Sequence, residues 1–467
     1  MGKISKKASQ RRRRFLMSSP PRVRFAPSPT GFLHLGNIKI ALLNYLFARK
    51  NGGVFVLRID DTDMERSSRE SEEAILEDLR WMGLEWDEFY RQSERMTCYE
   101  FAVQRLRESG RLYACYETRE ELASKKNIQA QKGIPPIYDR SSLFLESAEK
   151  RRLEELGTPV YWRFKLNDIH LMEWQDLVHG KISIPLSSLS DPILVRTDGS
   201  FVYTLTSVVD DIDLGITHVI RGGDHITNTA IQLDILAALG GKNLEFAHVP
   251  LMSAPDHQEI SKRSGSAFSL RHLRDSGILP EAIFNFLASL GTSHNPSIRD
   301  SRNELMDRFS FDDINLASPK LHMEELKLLS KKMLGGKNFD EIKDSLKDRG
   351  LEDITCDWWY AVRNNIDSIA DLHLWRNIFR GEIDTVAVDL VFLRQMLDTL
   401  EENDDFDAWI SKLKQVSGRQ GKKLFAPLRL AITGLEHGPE LKKIGEIIGY
   451  GGLRSRLVKN IEIQQPK

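Results

Sequence analysis

Cysteine is scarce: three in 467 residues, Cys98, Cys115 and Cys356, far apart along the chain. That number and spacing exclude a disulfide framework and fit a reducing compartment. Long apolar runs are missing as well. No stretch approaches the roughly 20 residues that cross a bilayer, so no membrane partner is expected. Charge of one sign is also lacking, since 66 Lys and Arg against 67 Asp and Glu leave a formal net charge of −1. Bulk charge therefore does not advertise a nucleic-acid partner, and any such contact must come from local basic patches. Neither an internal repeat nor a low-complexity segment interrupts the chain. What remains is an ordinary globular composition, 41% hydrophobic and 28% charged. The length accommodates roughly two to four domains with ample core.

Residues 1–16 carry Arg11 to Arg14 and little that is apolar. No secretory hydrophobic segment follows those charges, so residues 1–19 are expected to form a disordered basic tail. Its functional reading is loose contact with RNA phosphates.

The most informative stretch is residues 22–49. Val23 and Phe25 suit a buried strand. Pro27 and Pro29 fix φ and forbid both a helix and a central ladder, so the chain leaves the sheet there. Gly31 and Gly36 allow close backbone approach to a ligand. From Ile38 onward Ala41, Leu42, Tyr45 and Leu46 follow helical spacing. A strand, a rigid turn and a helix start leave backbone N–H groups and the positive helix end facing whatever binds above, which favours an anion such as phosphate. His34, beside that helix start, can donate a hydrogen bond to the same phosphate.

The string Arg24-Phe-Ala-Pro-Ser-Pro-Thr-Gly31 with His34-Leu-Gly-Asn37 resembles the HIGH region of class I aminoacyl-tRNA synthetases, and more narrowly that of bacterial-type glutamyl-tRNA synthetases. Asn37 departs from the usual last His but keeps a polar side chain at the helix start. Met17 coincides with the usual family start, which raises the expectation that the tail before it is not translated.

Further segments extend the resemblance over nearly the whole chain after the tail. Gly53–Ile59 reads as a doubly buried strand delivering Asp60-Asp-Thr-Asp63 at its carboxyl end, where open parallel sheets place ligands. The resemblance gives Asp60 the α-amino group of the amino acid. Helices are expected over 67–83 and 99–109, and strand–helix alternation implies a parallel doubly wound sheet. Residues 119–131 and 147–156 read as charged helices, 160–165 and 181–184 as strands. The second half-sheet is expected to begin near Ile193. Tyr203–Asp211 and Gly215–His225 match family segments, in which Tyr203 lines the amino-acid pocket and Arg221 pairs with a substrate carboxylate. Two arginines and one acid complement glutamate's two carboxylates and one amine. Arg24 is assigned to the side-chain carboxylate and Arg221 to the α-carboxylate, and the two can be exchanged. In a purely structural reading Asp210 and Asp211 would be the internal acids that satisfy these arginines. Ala26 and Ser28 complete the glutamate pocket; Gly36, Asn37 and Asp224 join His34 on the ATP side, with His225 near the adenosine.

Residues 257–266 occupy the place of the second family motif, KMSKS. Ser261, Lys262 and Arg263 match it, while Glu259 stands where a lysine is usual. Lys262 is expected to stabilise triphosphate charge, making it the catalytic partner of His34. In the insertion, many relatives hold zinc through a Cys-x-Cys and later ligands, whereas Tyr113-Ala-Cys-Tyr-Glu117 and Tyr138-Asp-Arg-Ser-Ser142 retain only Cys115. One thiolate does not build a closed tetrahedral site, so no zinc and no other resident metal is expected. The C-terminal string from Gly418 to Leu441 resembles the helical anticodon-binding cage.

The resemblance thus implies an α/β protein. A Rossmann-like catalytic domain, with halves at 20–109 and 193–254, carries an α+β acceptor-stem-binding insertion at 110–192. A stem-contact region with the KMSKS-like loop follows at 255–325, and an all-α anticodon-binding domain at 326–467. Implied partners are L-glutamate, ATP with Mg²⁺, and tRNA-Glu, tRNA-Gln or both, for a cytoplasmic monomer whose tRNA binds before activation proceeds. Rival readings are a duplicated paralogue charging mainly tRNA-Gln, an impaired tRNA-binding paralogue suggested by Asn37 and Glu259, and a small-molecule nucleotidyltransferase. The helical C-terminal region disfavours the last.

Overall fold

A computed structural model describes residues 19–63, 65–254, 268–298, 301–383 and 386–464. The expected tail, but for Ser19, and the whole KMSKS-like segment lie outside them. Contacts divide the chain into two units, Met1–Arg271 with Phe284–Leu321, and His272–Ile283 with His322–Lys467.

The first unit opens with β1 (Arg22–Phe25), α1 (Leu35–Lys50), β2 (Val54–Ile59), α2 (Arg69–Trp81), β3 (Glu88–Arg91) and α3 (Met96–Glu108). It continues through β4 (Leu112–Cys115), α4 (Arg119–Gln131), α5 (Ser147–Glu155), β5 (Tyr161–Phe164), β6 (Leu171–Asp176), β7 (Gly180–Pro185) and β8 (Ile193–Val195). Then come α6 (Tyr203–Asp213), β9 (His218–Gly222), α7 (Ile226–Ala238) and β10 (Glu245–Val249). β2 is buried along its length except at Val54, as a strand apolar but for Arg58 requires.

β1 runs parallel to β2, β2 to β3, and β9 to β10. Thr217 N–H, just before β9, donates to Arg22 O at 2.9 Å and brings β9 beside β1. The parallel order is therefore β3-β2-β1-β9-β10, reversing direction after β1. This is a doubly wound sheet whose topological switch lies between β1 and β9, where such sheets bind ligands. β6 docks on β10 through the Phe246–Asp176 pair, and β7 runs antiparallel to β6.

Contrary to expectation, Ile193–Val195 does not open the second half-sheet. It pairs antiparallel with β5 in a separate sheet of order β4-β5-β8, and the second half begins at β9. A three-residue apolar run satisfies either sheet, so its composition does not choose between them. Tyr99, Leu106, Phe164, Leu205 and Ile235 share one core, which joins α3, α6 and α7 to β5.

Helices α8 (Leu270–Asp275), α9 (Pro280–Ser289) and α10 (Arg302–Arg308) follow. The second unit continues through α11 (Met323–Gly336), α12 (Lys343–Lys347), α13 (Cys356–Val362), α14 (Leu372–Arg380), α15 (Leu390–Asp398), α16 (Phe406–Ser417), α17 (Lys422–Thr433) and α18 (Leu441–Gln464), the last broken at Gly449. Its buried polar atoms tie helices together. Trp409 Nε1 donates to Met396 O at 3.1 Å, and Arg456 Nη1 to Ile432 O at 2.7 Å. Among the described residues no helix is long and apolar enough to cross a membrane.

Candidate active site

A cavity of about 670 Å³ opens at the carboxyl ends of β1 and β9, at the switch point of the sheet. From β1 and the turn after it, Arg24, Ala26 and Ser28 line it, and His34, Gly36 and Asn37 follow at the start of α1. Tyr203, Arg221 and Asp224 line the opposite side. With His225, which lines it as well, ten of the expected site residues thus share one cavity. Asp60 does not line it, and Lys262 and Arg263 lie outside the described residues.

The turn is held by its own backbone. Asp60 N–H donates to Pro27 O at 3.0 Å and Ser68 N–H to Pro29 O at 3.1 Å, tying the Pro-rich segment to the end of β2 and the start of α2. Gly31 takes φ +142°, which other residues rarely adopt. His34 is the N-cap of α1, its Nδ1 accepting Gly36 N–H at 3.1 Å, while Asn37 Oδ1 accepts His34 N–H at 3.3 Å. This reciprocal capping box satisfies two backbone donors of the first turn. It also makes Nε2 the protonated nitrogen of the neutral ring. Asn37 therefore acts as a capping residue, which gives its departure from the usual His a local structural use.

Arg24, 4% exposed, donates through Nε to Asp211 Oδ1 at 3.1 Å. Asp211 also accepts Arg58 Nη1 at 3.0 Å. Arg58, with no exposed surface, grips both Asp60 oxygens, at 2.7 and 3.1 Å, and stands 3.5 Å from Asp210 Oδ2. Asp210 in turn accepts from Arg95, Gln92 and Tyr99. Burial outweighs the attraction of Arg58 and pushes the Asp60 carboxyl up to about 6. The structural reading is thus realised for one arginine: Asp211 is the internal acid of Arg24.

Arg221 is 6% exposed and differently partnered. Nη2 donates to Thr229 Oγ1 at 2.6 Å and to Gln232 Oε1 at 2.7 Å, Nη1 to Tyr203 Oη at 3.3 Å, and Nε to His248 Nε2 at 3.3 Å. Among the described residues no carboxylate lies within ion-pairing distance of it. Burial lowers its pKa, and lowers that of His225 beside it, where the Arg221 charge adds to the effect. Gly222 lines the cavity too, and a Cβ there would stand 2.9 Å from Leu251 Cδ2. Lys39, on α1, is a lining residue the sequence reading did not single out. Burial lowers its ammonium to about 8, and it donates to Leu290 O at 2.7 Å.

In the insertion, Glu117 gathers four hydroxyls: Tyr138 and Ser141 on Oε1 at 2.7 Å each, and Ser142 and Tyr161 on Oε2 at 2.8 and 3.1 Å. Burial opposes ionisation, but these hydroxyls outweigh it and hold the carboxyl down at about 2. Cys115 Sγ lies 3.6 Å from Tyr138 Oη, and burial pushes its thiol up to about 11.

Missed residues include Arg58, His248 and Asp176. An arginine inside the apolar run Val54–Ile59 was a usable signal, because a charge in a doubly buried strand requires partners. His248 inside Phe246–Val249 carried a weaker form of the same signal.

Residues 21–329 match the family described as tRNA synthetases class I (E and Q), catalytic domain. Residues 382–461 match an anticodon binding domain. The chain is 44% identical over 443 residues to glutamate–tRNA ligase 2 of Hyphomonas neptunium, covering 94% of this chain and 99% of that one. It is 42% identical over 444 residues to glutamate–tRNA ligase 2 of Gluconobacter oxydans, covering 93% and 98%. Among solved structures it resembles a glutamate tRNA ligase from Elizabethkingia meningosepticum in complex with its amino acid, with a TM-score of 0.81 and 29% identity over 96% of this chain and 100% of that one.

Proposed function

The chain belongs to the class I tRNA synthetases of the E and Q type, and we propose that it is a glutamate–tRNA ligase. In the first step a carboxylate oxygen of L-glutamate attacks the α-phosphorus of ATP, and the bond to the β-phosphate breaks, releasing pyrophosphate and giving glutamyl-adenylate. In the second, a hydroxyl of the tRNA 3′-terminal adenosine attacks the glutamyl carbonyl and AMP departs. No side-chain nucleophile is needed, so the protein's work is positioning and charge stabilisation.

The observation that carries this reading is Arg221, a buried guanidinium facing the cavity with neutral partners only. An unpaired buried charge is costly, and an entering carboxylate offsets that cost. Arg24 on the other wall takes the second carboxylate, and the two roles can be exchanged. Ala26, Ser28 and Tyr203 shape the space between them. Asp60, behind the wall formed by Pro27, supplies negative charge toward the α-amino group. His34 Nε2–H, the positive start of α1 at Gly36 and Asn37, and Asp224 serve the nucleotide. Lys262 and Arg263 neutralise the charge developing on the triphosphate, and Mg²⁺ enters as the companion of those phosphates. The saturated acceptors of Glu117 and the protonated Cys115 thiol support an insertion that needs no zinc.

Residues 20–109 and 196–254 are assigned to the catalytic halves, 110–195, which includes β8, to the acceptor stem, 255–325 to the stem contact and 326–467 to the anticodon. The protein would work in the cytoplasm as a monomer. The test is ATP–pyrophosphate exchange with glutamate, glutamine and aspartate, followed by charging of purified tRNA-Glu and tRNA-Gln in parallel. Glutamate-specific exchange with charging of tRNA-Glu, alone or with tRNA-Gln, is expected. Charging confined to tRNA-Gln would favour the duplicated paralogue, and no exchange in the presence of tRNA would overturn the reading.

A further inference from the structure

His248 stands in β10 with no exposed surface, and its ring joins two strands. Nδ1 lies 2.6 Å from Asp176 Oδ2, the terminal residue of β6. The Asp176 side chain is itself fully buried, and its Oδ1 accepts the backbone N–H groups of Val178 and His179, both at 2.9 Å. Burial works against this carboxylate, but His248 and those N–H groups outweigh it and hold its pKa below the ordinary range. An ionised Asp176 fixes the hydrogen of His248 on Nδ1. Nε2 is then an acceptor, and it faces Arg221 Nε at 3.3 Å and Thr229 Oγ1 at 2.8 Å.

Arginine carries five N–H hydrogens and no acceptor. At Arg221, Nε is turned to His248, and both Nη2 hydrogens are taken by Thr229 and Gln232. Nη1, whose one hydrogen-bond partner among the described residues is Tyr203 Oη, keeps a hydrogen for the cavity. The plane of the guanidinium is therefore set from behind, and one of its anchors exists only while Nε2 is unprotonated. A hydrogen on Nε2 would confront Arg221 Nε–H with a second donor and turn the guanidinium.

We propose that Asp176 and His248 are positioning residues for Arg221: the carboxylate fixes the imidazole tautomer, and the imidazole fixes the guanidinium that grips a glutamate carboxylate. This rests on the glutamate reading of Arg221 given above. Because β6 pairs with β7 in the inserted segment while β10 belongs to the catalytic sheet, the pair also couples the docking of that hairpin to the amino-acid pocket.

Asp176→Asn keeps the shape but lets the amide oxygen take the backbone N–H groups while the NH₂ faces Nδ1, which moves the His248 hydrogen to Nε2. Exchange assays with tRNA present should show glutamate KM raised about tenfold or more, with kcat at saturating glutamate and ATP KM within about threefold. Nitrogen-15 NMR of His248 should report an Nδ1–H tautomer in the parent and Nε2–H in the variant. His248→Leu should reproduce the KM effect, whereas His248→Gln, which retains an amide oxygen near the Nε2 position, should recover most of the affinity. If Asp176→Asn does not fold, the Gln and Leu variants at His248 carry the comparison by themselves. Unchanged glutamate KM in a folded Asp176→Asn with the switched tautomer overturns the proposal, as do equal losses in the Gln and Leu variants or a parallel fall in every kinetic constant. Arg221→Lys separates the two readings. If it leaves glutamate KM unaltered, the pocket assignment itself fails; if it raises KM while Asp176→Asn does not, only the positioning pair fails.

Discussion

The two arginines that flank the cavity are buried alike and neutralised differently. Arg24, on the β1 wall, belongs to a network in which Arg58, Asp60, Asp210, Asp211 and Arg95 alternate in sign. Arg221, on the β9 wall, has hydroxyl, amide and imidazole partners. A guanidinium already paired with a carboxylate gains less from a second one, because its charge is compensated before the substrate arrives. A guanidinium surrounded by neutral acceptors keeps its charge in a poorly solvated place, and burial lowers its pKa accordingly. One wall is thus charge-compensated within the protein, while the other holds a buried charge that an entering carboxylate would compensate.

Substitutions at the two positions break this comparison most directly. Truncating one partner of a buried charged contact costs roughly 2–5 kcal/mol, about thirtyfold to several-thousand-fold in kcat/KM. Arg221→Met should fall in the upper part of that range for glutamate and leave ATP KM nearly unaltered. Arg24→Met should cost less glutamate affinity, since Asp211 retains Arg58. Steady-state exchange kinetics on the pair decide it, and a larger loss at Arg24 would invert the assignment of the walls.

The network side should show its importance in stability. Asp211→Asn leaves Arg24 and Arg58 short of a buried anion, and removing one member of such a set costs about 3–5 kcal/mol. Urea unfolding should register that loss, while an effect below about 1 kcal/mol would mean the network redistributes freely.

Asp60 sharpens the same contrast through pH. Its folded pKa of about 6 lies above the ordinary 3.8 because burial outweighs Arg58. Between those values the folded protein holds a proton that the unfolded chain has released, so the Asp60 contribution to stability falls as pH rises through that window and is constant above it. At 1.36 kcal/mol per pKa unit the span is on the order of 3 kcal/mol. The stability of Asp60→Asn relative to the parent should therefore improve from pH 4 toward pH 6.5, and a flat difference would show that Arg58 keeps Asp60 ionised throughout.

Much of this site is legible in the sequence. Two prolines and two glycines between a strand pattern and a helical period announced the turn, and His34 stands at the helix start as expected. Arg24, Tyr203, Arg221 and Asp224 line one cavity with it. The partners behind them were less legible. Asp211 was visible as a candidate acid, but nothing local distinguishes the arginine it serves from the one it does not. Asp176 and His248 are 72 residues apart and meet only because β6 docks on β10, a tertiary pairing with no periodic signature. The same limit hid the strand Leu171–Asp176 itself and put Ile193–Val195 in the wrong sheet, since short apolar runs do not encode their neighbours.

The smallest effect is expected in the insertion, where a third polar cluster tests whether a carboxylate crowded with donors has capacity left for a metal. Structural zinc requires four deprotonated ligands in tetrahedral array. Here Cys115 supplies the one thiol, with its pKa pushed up to about 11 by burial, so it is protonated at neutral pH. Burial likewise raises the Tyr138 hydroxyl, which spends its hydrogen on Glu117. Glu117 accepts two hydroxyls on each oxygen, so a metal would have to displace donors from both. Exhaustive chelation should leave the melting temperature and the charging rate unaltered, and elemental analysis should find zinc far below one atom per chain. Glu117→Gln should be the more damaging treatment, by about 1–3 kcal/mol, because an amide offers one oxygen where the carboxylate offered two. Stoichiometric zinc lost together with activity on chelation would show that Glu117 gives up its hydroxyls after all, and that it resembles Arg221, which lacks an ionic partner among the described residues, more than the ion-paired Arg24.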